Sequence, residues 1–172
     1  MELYEAVKAR RSVRAYKPDP VPEEALSRIL RAAQAAPSWK NSQGWHIVVV
    51  RERDMIEQIG RALSGNPRGT DYHTLPALLV LAMDPDAAER FDGKEYYLVD
   101  AGIVGEHLIL AAQAEGLGTC WVGWFEEAPI KRLLGIPDKY RVVMLTPLGY
   151  PAREIPPRPR KALAEIVHEG RW

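Results

Sequence analysis

Three guanidinium groups and a hydroxyl fall within five residues at Arg10-Arg11-Ser12-Val13-Arg14. That donor set suits a phosphate monoester dianion, which takes up planar, charge-assisted hydrogen bonds. At about 4 Å and an effective dielectric near 20, each such charge pair gains about 4 kcal/mol before desolvation. The same cluster follows the apolar-periodic residues Leu3, Ala6 and Val7, so it also fits a solvated helix end whose dipole favours cations. Both readings stay open on this segment alone.

A second stretch, Pro37-Ser38-Trp39-Lys40-Asn41-Ser42-Gln43-Gly44-Trp45, places four polar side chains between or beside two tryptophans. Amide side chains pair with the imide or amide edge of a heterocycle, and indole offers it a flat surface. Ser and Asn also cap and turn a chain without any ligand. Further on, Thr119-Cys120-Trp121-Val122-Gly123 ends on a glycine, where the Val122 and Gly123 amides could approach a planar group. Cys120 has no basic neighbour in sequence and reads as a small buried hydrophobe. Arg158, Arg160 and Lys161 could return to the same anion or form a solvated basic tail.

The elements that must position these residues alternate. Pro22, Glu23 and Glu24 open a helix whose apolar face is Leu26, Ile29, Leu30 and Ala33 and which stops before Pro37. His46 to Val50 and Ala77 to Met83 are strands. Asp54 and Glu57 resemble a capping box opening a helix with the face Ile56, Ile59 and Leu63. Leu98 to Glu115 is apolar on several sides and predicts a central helix covered all round. Thr119 to Gly123 predicts a strand, Pro129 to Leu134 a short helix closed by Gly135, and Tyr140 to Leu148 the last core strand. After Pro151 the prolines force an extended path, and Leu163, Ile166, Val167 and Trp172 suit another surface, such as a partner subunit.

The chain has 172 residues, enough for one domain with a substantial core. Its 23 basic and 23 acidic residues cancel, which disfavours nucleic acid and anionic membranes as partners. One cysteine and scattered histidines give no internal disulfide and no metal-ligand spacing. Neither a signal-peptide pattern nor an apolar run of roughly 20 residues is present, so a cytoplasmic protein is expected.

In its order of motifs the chain resembles the FMN-dependent nitroreductase family, over nearly its whole length. The carriers are Arg10 to Tyr16, Pro37 to Trp45, Gly116-Leu117-Gly118-Thr119-Cys120-Trp121-Val122-Gly123, and Pro147-Leu148-Gly149-Tyr150-Pro151 followed by Arg158 and Arg160. The resemblance implies an α+β three-layer sandwich, a mostly antiparallel sheet between helices, in an intertwined homodimer. It covers residues 1–172 as one domain, with 151–172 as a tail on the partner subunit.

It further implies FMN as cofactor and NADH or NADPH as electron donor, with nitroaromatics, quinones or similar small molecules as acceptors in a ping-pong cycle. Arg10 and Ser12 would hold the phosphate with Arg160, Arg11 would also belong to the cofactor-binding residues, and Arg14 would face the N1 and C2 carbonyl edge. Pro37, Ser38, Trp39 and Asn41 would come from the other subunit, and the Val122 and Gly123 amides would meet the N5 and C4 carbonyl edge. No side chain is expected to act as acid or base. Gly44 stands where many relatives carry proline, implying a looser loop. Val122 stands where several carry glutamate, and the Asp84 to Tyr97 segment is short, implying a reduced pocket cover. Flavin fragmentation, reductive dehalogenation and a non-catalytic flavin carrier remain the alternatives.

Overall fold

A computed structural model describes residues 1–63, 65 and 69–172. Its centre is a four-stranded sheet in the order β1-β2-β6-β5. These strands are β1 (Trp45–Val50), β2 (Ala77–Met83), β5 (Gly118–Thr119) and β6 (Arg141–Gly149). Every ladder between them is antiparallel, with Val80 of β2 facing Val48 on one side and Leu145 on the other. β3 (Arg90–Phe91) and β4 (Lys94–Glu95) form a separate small hairpin.

β2 is buried at every residue because both of its faces are covered. Ala77, Leu79, Leu81 and Met83 pack with α2 (Glu23–Gln34) and α4 (Tyr96–Ala114). Leu78, Val80 and Ala82 pack with α3 (Arg53–Ala62) and α5 (Glu127–Leu134). Side-chain alternation of period two thus divides one strand between two cores and produces three layers. Each fully buried aliphatic side chain contributes about 1.5–3 kcal/mol.

Three expectations are corrected. α3 starts at Arg53 with no side-chain cap, so Asp54 lies inside the helix and the capping box does not form. Glu57 turns instead to His73 Nδ1 at 3.1 Å. The predicted strand over 119–123 is broken: after Thr119 the Cys120 amide donates to the Thr146 hydroxyl at 3.3 Å, and only Val122 pairs again, with Leu145. α4 is not covered all round, since Leu98 and Val99 are 46% and 49% exposed. α4 also packs against α1 (Leu3–Ala9), whose Leu3, Tyr4 and Val7 are likewise exposed.

Beyond β5 the sheet is extended by the segment after α1. The Val13 amide donates to the Thr119 carbonyl at 2.8 Å, and the Lys17 amide to the Tyr150 carbonyl at 2.9 Å. This approach requires glycine at 118, where a Cβ would lie 2.5 Å from Val13 Cγ2. The arginine motif is therefore pinned along the sheet edge. Residues 156–172 are exposed throughout, including a 3₁₀ turn at Leu163–Glu165. Among the described residues no helix is long and apolar enough to cross a membrane.

Candidate active site

The clustered arginines divide into different roles. Arg11 donates from Nη1 to the Lys8 and Arg10 carbonyls at 2.7 and 2.8 Å, satisfying main-chain acceptors where α1 ends. Arg11 Nη1 thus caps the end of α1, in place of the cofactor contact expected of this residue. Arg10 is half-buried, with Nε 3.8 Å from a Glu106 carboxylate oxygen on α4. Arg14 and Ser12 line a cavity of about 320 Å³ together with Arg153, Glu154 and Arg158. The Ala152 amide donates to the Ala15 carbonyl at 3.0 Å, which folds the start of the tail back onto this segment.

Arg160 does not line that cavity: it is exposed, and its Nη1 lies 3.5 Å from the Pro159 carbonyl. Arg153 takes part instead. Sequence reasoning passed over Arg153, although its position two residues after Pro151, at the end of β6, was a usable signal. Cys120 is buried next to this segment, and burial pushes its thiol pKa up, opposed by Arg14, Ser12 and Arg10. One buried thiol therefore has three of the predicted ligands as neighbours.

The Val122 amide donates to the Leu145 carbonyl at 2.9 Å and the Leu145 amide returns the bond at 3.0 Å. Val122 is buried and its donor is engaged, which corrects the expectation that it offers an amide to a ligand. Gly123 and Trp124 follow on the exposed side, and their amides have no acceptor among the described residues. Trp121 is 41% exposed and lies over Gly105 of α4, where any Cβ would strike its ring.

The Pro37–Trp45 segment is held by several bonds. The Trp39 amide donates to both carboxylate oxygens of Asp100 at 3.0 and 3.1 Å, and the Gln43 amide donates to the Ser38 hydroxyl at 2.9 Å. Trp39 and Tyr96 have ring centroids 4.2 Å apart. Lys40, Asn41 and Gln43 take φ of 47°, 57° and 52°, a left-handed backbone that costs non-glycine residues about 1–2 kcal/mol each. Such strain persists where surrounding structure dictates it, often at a ligand site. Gly44 does not loosen this loop: a Cβ there would lie 2.5 Å from Ala87 Cβ, so glycine allows tight packing. Pro37, Ser38, Trp39 and Asn41 do not line the cavity that holds Arg14.

Comparison with known proteins decides the family. Residues 7–150 match the model described as Nitroreductase family. The chain belongs to the nitroreductase family. It is 31% identical to a protein named NADH dehydrogenase from Thermus thermophilus, over 92% of this chain and 91% of that one. A solved nitroreductase family protein from Clostridium novyi superposes with a TM-score of 0.83 at 37% identity, covering 88% of this chain and 86% of the other. An FMN-dependent nitroreductase from Clostridium difficile superposes with a TM-score of 0.81 at 25% identity, covering 98% and 99%. Within this nitroreductase-family chain, Arg153 lines the cavity beside Arg14, and Asp100 bonds the Trp39 amide; motif reading singled out neither.

Proposed function

We propose that the chain is an NAD(P)H-dependent FMN oxidoreductase of the nitroreductase type, acting on nitroaromatic, quinone or similar acceptors as a homodimer of one domain per chain. The observation that carries the reading is the cavity into which Ser12, Arg14, Arg153 and Arg158 converge. Three guanidiniums and a hydroxyl against one carboxylate, Glu154, fit a group that bears a phosphate and an electron-rich ring edge. When bound, FMN would supply reversible uptake of hydride from NADH or NADPH.

The chain's own residues bind and tune. Arg14 presents a fixed positive charge that stabilises negative charge on the ring edge, and Arg10, Ser12, Arg153 and Arg158 hold the phosphate. The Gly123 and Trp124 amides supply main-chain donors on exposed backbone. No proton-transferring side chain is required. At about 320 Å³ the cavity is at the small end of ligand sites, which span roughly 300–1,000 Å³, and a second chain would extend its walls. The uncovered faces of α1 and α4 and the exposed tail supply the surface for that second copy.

Anaerobic mixing tests the proposal. A yellow protein that releases FMN on denaturation should bleach near 450 nm with NADH or NADPH and recover on adding a quinone or nitroaromatic. A protein that takes up FMN but bleaches with neither donor is a carrier, and one that takes up no FMN refutes the reading.

A further inference from the structure

Asp100 on α4 is 3% exposed, and among the described residues only a main-chain donor, the Trp39 amide, meets its carboxyl. Burial pushes its pKa up, the Trp39 hydrogen bond opposes that, and no charged neighbour contributes. A buried carboxyl with no cation beside it is costly, and here the hydrogen bonds from one main-chain amide are what offset that cost. What the carboxyl holds is the first residue of the strained loop, immediately before the left-handed Lys40 and Asn41. Around the same point the Trp39 Nε1 and Ser42 Oγ atoms are buried without a partner among the described residues. Gln43 bonds to Ser38 and Asn41 within the loop, and Lys40 Nζ donates to a Glu89 carboxylate oxygen at 2.6 Å, on exposed chain outside any helix. The Trp39 ring stacks on Tyr96, one turn before Asp100 on α4. Asp100 is thus the point where a hydrogen bond ties this loop to the helical scaffold.

We propose that Asp100 is a positioning residue that clamps the Trp39–Gln43 loop to α4 and so presents Ser38 and Asn41 to the FMN bound by a second copy of the chain. This rests on the FMN reading above. The clamp sits on the stretch of α4 next to exposed Leu98 and Val99, so the loop and the uncovered face share one helix segment.

Full-length wild type, Asp100→Ala and Asp100→Asn chains test it by two measurements. Amide hydrogen exchange at Trp39 needs no flavin; titration of apoprotein with FMN gives the Kd. Losing a hydrogen bond to a charged acceptor should speed Trp39 exchange in Asp100→Ala and raise its FMN Kd, each by about tenfold or more. Asn keeps one acceptor oxygen and should restore both to within about threefold of wild type. Unchanged exchange or unchanged Kd in Asp100→Ala overturns the proposal, and so does an Asn variant as impaired as Ala. If the Ala chain does not fold, Asp100→Ser takes its place, with faster exchange and weaker FMN binding again expected and no change in either again overturning the clamp. Wild type that takes up no FMN refutes the cofactor reading instead, and the exchange result then decides the clamp alone.

Discussion

Arg11 and Arg14 carry the same head group to different ends. Arg11 meets carbonyls at the close of α1, whereas Arg14 faces a cavity. Replacing Arg11 by Ala should therefore lower stability by about 0.5–2 kcal/mol in a urea melt while FMN affinity stays within a few fold. Arg10→Ala should raise the FMN Kd by about tenfold or more, measured by flavin titration, because a charge-assisted bond is lost. Arg14→Ala should lower the flavin midpoint potential by roughly 30–60 mV, about 1.4–2.8 kcal/mol for two electrons, and an equal or higher potential removes its assigned role. The five-residue motif announced these side chains by type. It could not assign them, because orientation depends on where α1 stops and on the parallel contact with Thr119.

α5 is fastened to β6 by Glu127, which receives Arg141 from two nitrogens and the Val142 amide at 3.0 Å. Burial pushes the Glu127 carboxyl up, but Arg141 and the Val142 amide outweigh it and hold the pKa below the ordinary value. A depressed carboxylate pKa stabilises the fold above the unfolded-state pKa, and that stability is lost as pH falls through the folded-state pKa. Glu127→Gln should thus cost about 1–3 kcal/mol at pH 7 in denaturant melts, with the gap from wild type closing in acid below the usual glutamate range. Gly118→Ala should push Val13 off the sheet edge, costing about 1–3 kcal/mol and weakening FMN binding together. β2 was legible from its sequence because a strand covered on both faces reads as one apolar run. The strand expected over 119–123 was not, since its break depends on Thr146 reaching across from β6. The left-handed loop was invisible for a related reason: Lys40, Asn41 and Gln43 carry no glycine signal, and Gly44 serves packing instead.

Across the molecule, polar chemistry and apolar cover are both unfinished within one chain. The tail shows its Leu163, Ile166, Val167 and Trp172 to solvent, and Leu3, Tyr4, Val7, Leu98 and Val99 lie bare on α1 and α4. Removing 152–172 takes away Arg153 and Arg158 along with those tail residues. The shortened chain should lose FMN and shift toward monomer in light scattering after gel filtration; retained flavin in a monomer speaks against a shared site. Composition hinted at the tail's destination, since apolar residues after a proline run need some surface. Which surface was not legible, because no surface among the described residues of the single chain covers them. If a second copy supplies that cover, as proposed, occupancy follows mass action. Diluting the holoprotein at fixed free FMN should release the flavin progressively, so a Kd measured at nanomolar chain will read weaker than one measured at micromolar.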